Sequence, residues 1–166
     1  WTANLSFSQL SECINQAESW PNSLSFQWIY GEDIFAHAIG EVKNTSDESI
    51  LINLLEKLPF LRNRVIDKFS EMNSLPSLSL GNIKNNNSNH SEVLGLLGPA
   101  WQENNPKVLK ILKELINKRP NKSCYIASQQ LGGLTHLEDN DTSFIHRDAI
   151  WKPWINAAWE ATDQLN

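Results

Sequence analysis

The sequence is poor in the residues that carry covalent structure or metal chemistry. It has two cysteines, four histidines and one methionine among 166 residues. Cys13 and Cys124 stand far apart in different expected elements, so they make neither a disulfide framework nor a zinc site. The reading is two buried free thiols. No histidine pairs with another histidine or a cysteine at metal-ligand spacing, and no metal is expected. His37 reads as a half-buried strand spacer, His90 falls in a polar stretch and His136 in a turn. There is no Gly-x-Ser-x-Gly turn and no phosphate-binding loop. No apolar run approaches the roughly 20 residues of a membrane helix, so no membrane partner is expected. Excess positive charge is missing too: the net charge is −5, which argues against nucleic acid or an anionic membrane surface. No signal peptide is visible. The first residue is Trp1 and not methionine, so the expectation is a longer natural chain.

What is present is an ordinary soluble globular composition, 40% hydrophobic and 20% charged, in a length that suits one domain with a real core. Asn-x-Ser/Thr sequons, such as those at Asn44 and Asn121, carry little weight in so asparagine-rich a sequence.

Ser6 and Gln9 form a capping box for a first helix, with Leu10, Cys13, Ile14, Ala17 and Trp20 on one face. Pro21 ends it. Leu24, Phe26, Trp28 and Tyr30 alternate with polar residues as a strand, and Ile34 to Val42 reads as its hairpin partner. Asn44-Thr45-Ser46 opens a second helix, with Asp47 and Glu48 suited to its positive end. Ile50, Leu51, Leu54, Leu55 and Leu58 form its apolar face. Arg64 to Phe69 reads as a short strand and Ser70 to Leu75 as a helical turn. Residues 81–90 are so polar that a mobile loop is expected. Asn105 and Pro106 open a third helix as N-cap and first residue, with Val108, Leu109, Ile111, Leu112, Leu115 and Ile116 as its stripe. Strands and helices in this order predict an α+β domain over 1–166, a largely antiparallel sheet with helices on one face.

The most distinctive stretch comes last. Cys124 to Leu131 is a strand that stops at Gly132-Gly133, where positive φ and close backbone approach become available. A loop with Glu138, Asp139 and Asp141 leads to Thr142-Ser143-Phe144-Ile145-His146-Arg147 and a run ending at Trp159. Residues 150–159 fit helical spacing as well as a strand, and Pro153 suits the interior of neither. Gln129-Gln130-Leu131-Gly132-Gly133, the His146-Arg147 segment and Trp159, in that order, resemble the substrate domain of FAD-linked oxidases related to berberine bridge enzyme, within the vanillyl-alcohol-oxidase superfamily.

That resemblance implies a strand for 150–159, with a helical turn after Trp159. It implies FAD as cofactor of the parent protein, held by a flavin-binding domain absent from this chain, and a small-molecule substrate: an alcohol, a sugar or a related metabolite. The isolated chain is then expected not to be catalytic. Gln129 takes the position of a pocket-lining side chain, and His146 and Trp154 join it as substrate-binding candidates. Gly132, Gly133, Arg147 and Trp159 are implied as structural residues, with Arg147 bracing the acidic loop. Relatives place a carboxylate on the following strand. Here the facing positions are Lys152 and Trp154, so no catalytic residue carries over. The alternative is a small α+β ligand-binding or interaction module without flavin.

Overall fold

A computed structural model describes residues 1–65, 89–102, 104–136 and 143–160. Among these, seven strands form one antiparallel sheet: β1 (Thr2–Leu5), β2 (Leu24–Tyr30), β3 (Ile34–Gly40), β4 (Arg62–Val65), β5 (Asn89–Gly95), β6 (Tyr125–Gln130) and β7 (Trp151–Glu160). Their spatial order is β4-β1-β3-β2-β6-β7-β5. Three helices, α1 (Phe7–Ala17), α2 (Thr45–Glu56) and α3 (Asn105–Asn117), pack on one face. The α+β expectation therefore holds.

The capping signals are realised. Ser6 Oγ accepts the Gln9 N–H while Gln9 Oε1 accepts the Ser6 N–H, and Asn44 Oδ1 accepts the Asp47 N–H at 2.9 Å. Each satisfies donors that the first helical turn leaves orphaned. The third helix differs from expectation. Asn104 is its N-cap and makes no side-chain bond. Asn105 is instead 2% exposed, donating to Ser11 O at 3.3 Å and to Asn15 Oδ1. It ties α3 to α1 rather than capping α3. Ile111 and Leu115 are exposed and Leu109, Leu112 and Ile116 are buried, so the buried stripe is narrower than the apolar one. Ile50 on α2 is exposed likewise.

The core joins Leu10, Cys13, Ile14 and Ala17 of α1 to Phe26 and Trp28 of β2 and Trp151 of β7. Trp101, between β5 and α3, packs against both Trp28 and Trp151. Glu18, just past α1, locks this cluster. Its carboxylate accepts the Trp151 Nε1–H at 2.5 Å and the backbone N–H groups of Trp101 and Gln102 at 2.5 and 2.9 Å. Cys13 and Cys124 are free and buried, and burial pushes the Cys13 thiol up to about 12.

Three differences from the sequence reading bear on the site. Residues 2–5 form a strand that the reading left unassigned. Asn89 and His90, placed in the polar loop by composition, begin β5, and His90 stacks on Trp159 with centroids 5.9 Å apart. Residues 150–159 resolve toward the strand, with β7 running through Glu160. Residues 66–69 of the expected Arg64–Phe69 strand, the Ser70–Leu75 turn, the loop over 81–88, the Glu138–Asp141 patch and the turn after Trp159 lie outside the described residues.

Pro153 is accommodated between β6 and the segment after β5. Antiparallel partners exchange both backbone bonds or neither. Leu96 N–H donates to Pro153 O at 2.8 Å, but proline has no N–H to return. The regular β5 ladder stops at Gly95. Pairing resumes at Gly98, whose carbonyl accepts from both Ile150 and Trp151. Leu96 and Leu97 thus lie between the end of the β5 ladder and the bridge at Gly98.

Candidate functional site on the open sheet face

Side chains alternate along each strand, so the residues between the core positions of β2, β3, β6 and β7 point to the face that the helices leave open. Antiparallel register lines up one set of them. Thr2 pairs with His37, His37 with Gln27, Gln27 with Gln129, and Gln129 with Lys152. A polar row thereby crosses five strands. The next row on the same face is largely apolar: Phe35, Ile29, Ala127 and Trp154. The face thus sets hydrogen-bonding groups beside a strip suited to a flat apolar body.

Two cavities adjoin the row. One, of about 210 Å³, lies at the end of β6 and is lined by Trp20, Asn22, Ser25, Gln129 and Gly132. The other, of about 560 Å³, opens beside β7 among Gly95, Leu96, Leu97, Phe144, His146 and Lys152. Leu131 and Thr135 line both, so the cavities adjoin.

The structure places the sequence-nominated residues as follows. Gln129 is exposed on the open face and lines the smaller cavity. Gln130 points the other way. Its Oε1 accepts the Phe26 N–H at 3.1 Å and its Nε2 donates to Ala17 O at 2.7 Å, extending the β2–β6 pairing and holding the end of α1. His146 lines the larger cavity. Trp154 shares the face with Gln129 in the apolar row and lines neither cavity. Trp159 is 37% exposed, on the opposite face toward the far end of β7.

The turn after β6 is a 3₁₀-helix, Gly133–His136. Gly132 does not take the left-handed conformation, and a Cβ there would meet Asn22 Oδ1 at an ordinary 3.6 Å. The strained backbone that the glycine pair permits is not used at Gly132. The returning segment is held by backbone carbonyls. Arg147 Nη1 donates to Thr135 O at 3.3 Å and its guanidinium lies 5.2 Å from the Phe144 ring centroid. The His136 ring shares a 3.0 Å hydrogen bond with Ala149 O. The acidic residues expected to meet Arg147 lie outside the described residues.

Gln27, Leu96, Leu97 and the alignment of Lys152 with Gln129 escaped the sequence reading. Alternation along β2 assigns Gln27 to the face opposite Trp28, but which strands become neighbours is not written in any one segment. His37 sits in the row but is buried, not half-buried as expected. It is 8% exposed with an unpartnered Nε2. Burial lowers its pKa to about 4, with the Trp1 ammonium as a second cause. Among the described residues no group of three or more His, Cys, Asp and Glu is placed to hold a metal ion, and no helix is long and apolar enough to cross a membrane.

The fold is one that several oxidoreductase structures share. No family model matches the sequence, and no curated protein matches it. Among solved structures, the chain is similar to GilR, an oxidoreductase that catalyses the terminal step of gilvocarcin biosynthesis, solved with pregilvocarcin. The two are 12% identical with a TM-score of 0.62, over 97% of this chain and 37% of that one. It is also similar to berberine bridge enzyme from Eschscholzia californica (13% identity, TM-score 0.54, 99% and 36%) and to aclacinomycin oxidoreductase (12%, 0.55, 97% and 36%). The chain therefore spans little more than a third of the proteins whose fold it shares.

Proposed function

We propose that this chain is the substrate-binding domain of a larger FAD-linked oxidoreductase, one that oxidises an alcohol, a sugar or a related metabolite. The open sheet face is then the wall turned toward substrate and flavin. The observation that carries the reading is the row Gln27–Gln129–Lys152 beside the strip Ile29–Ala127–Trp154, on the face turned away from α1, α2 and α3. The fold likeness to oxidoreductases supports it.

The residues present fit the ring end of FAD and not its phosphate end. The apolar strip offers the half-buried Ile29 and Trp154, on either side of the buried Ala127, to a flat ring. Among the described residues the helices open at Ser6, Asn44 and Asn104, and none of them follows the glycine-rich turn that brings a pyrophosphate to a helix N-terminus. The phosphates therefore fall to the flavin-binding domain of the parent protein. FAD supplies a hydride acceptor when bound. This chain's residues bind and orient. The Gln129 amide, with Gln27 beside it, donates to and accepts from substrate hydroxyls. Trp154 packs a ring or apolar body. His146 borders the approach, while Gly132, Gly133, Arg147 and Trp159 maintain the turn and the strand around it. No general base is assigned, because Lys152 stands where a carboxylate would serve. The chain alone is not catalytic.

The test is the flavin content of the protein encoded by the natural reading frame around this segment, against that of the 166-residue chain. The longer protein is expected to purify with stoichiometric FAD and the chain alone to be colourless after incubation with FAD and desalting. A stoichiometric yellow complex of the chain alone, or a longer protein without flavin, contradicts the reading.

A further inference from the structure

We infer that the cavity beside β7 accepts a small molecule with an apolar body and a carboxylate, the carboxylate meeting Lys152. This rests on the reading of the open face as the substrate wall and adds the charge of the substrate.

Lys152 is the one fully charged side chain in the polar row and lies directly opposite Gln129. Among the described residues no carboxylate pairs with it, and the salt bridges Lys43–Glu41 and Lys122–Glu32 lie elsewhere. The same cavity holds Leu96, Leu97 and Phe144, with the two leucines 54% and 38% exposed. They continue the exposed apolar run of the edge strand, where Val93 and Leu94 are each 61% exposed. A cation with no carboxylate partner among the described residues and bare apolar side chains are thus set at one opening, with His146 as a further polar group on the rim.

A ligand that covers the leucines also strips water from Lys152. If it is neutral, the ammonium loses hydration with nothing in return, which costs free energy. A carboxylate restores the lost interactions through a charge-assisted hydrogen bond. A cationic ligand meets repulsion. The opening therefore selects amphiphilic anions and rejects their neutral isosteres.

The experiment titrates the 166-residue chain, without flavin, with cinnamate and with cinnamamide, which differ in charge and little in shape. Calorimetry and amide-resonance shifts report binding. Cinnamate is expected to bind about tenfold or more tightly than cinnamamide, the range for a charge-assisted contact, and to weaken with added salt. Lys152→Gln should abolish the preference and Lys152→Arg should keep it, with shifts centred on residues 95–97 and 152. Equal binding of the two probes, a preference that survives Lys152→Gln, or no binding of either overturns the inference. Because no flavin is present, a failure of the oxidoreductase reading leaves this result intact and separately readable.

Discussion

Gln130 donates its side-chain amide to the carbonyl oxygen of Ala17 at 2.7 Å while accepting the Phe26 N–H, joining β6, β2 and the end of α1 through one side chain. Its neighbour Gln129 points to the opposite face and is exposed. Gln130→Ala should therefore destabilise the domain by about 1–3 kcal/mol, since it leaves a largely buried N–H and C=O without their partner. Gln129→Ala should stay within about 0.5 kcal/mol, as exposed substitutions do. Urea midpoints of the two variants check this. Equal effects would mean that the two faces are wrongly assigned.

Glu18 is the second fastening. It accepts three N–H groups, two from the loop that carries Trp101 and one from the Trp151 indole. Glu18→Ala should cost about 3 kcal/mol, the upper range for bonds to a charged group. Trp151→Phe, which keeps much of the ring and removes one donor, should also destabilise. In a double-mutant cycle the two effects should fall short of additive, because they share a partner.

Much of this fold was legible because single segments carry their own instructions. The Ser6–Gln9 capping box, the helix opening at Asn44-Thr45-Ser46 and the alternation from Leu24 to Tyr30 each act within a few residues and appear in the structure, whereas α1 ends at Ala17, short of Trp20 and the expected stop at Pro21. What stayed hidden depends on partners distant in sequence. Asn105 looked like a cap because asparagine suits that position, but its amide is engaged by α1. Asn89 and His90 are polar enough for a loop, and become strand because β7 offers an unpaired edge. Ile150 to Trp159 fits a helix by spacing alone, and the β6 and β5 ladders decide otherwise. The candidate site shares this property. Gln129 is conspicuous beside its glycine pair, whereas its alignment with Gln27 and Lys152 exists only in the register of three strands.

His37 gives the domain a pH dependence with a definite sign. Burial favours the neutral ring and holds its pKa near 4, against 6.5 unperturbed. Between those values the unfolded chain binds a proton that the folded chain refuses. Stability should be flat above pH 6.5 on this account and fall as pH drops toward 4, by up to about 3 kcal/mol. His37→Leu should remove that slope. Urea denaturation of both proteins at pH 7 and pH 5 checks it, and parallel losses in the two would assign the slope to other groups.

Arg147 fastens the returning segment through Thr135 O and the Phe144 ring. Arg147→Ala should lower stability by about 1–3 kcal/mol and speed amide exchange at Thr135 and His136. Arg147→Lys should recover only part, because a point charge does not reproduce a planar fork over a ring. Unchanged midpoints in both variants would release Arg147 from a structural role.

The central claim is that the open face, and not the helix-covered face, lies against the flavin of the parent protein. Trp154 and Trp159 lie on the same strand and point to opposite faces. Fluorescence of the bound flavin in the flavin-loaded longer protein separates the faces, since an indole against the ring quenches its emission. Trp154→Leu should raise that emission several-fold and Trp159→Leu should leave it unchanged. Emission unaltered by Trp154→Leu, or raised equally by both substitutions, would contradict the claim.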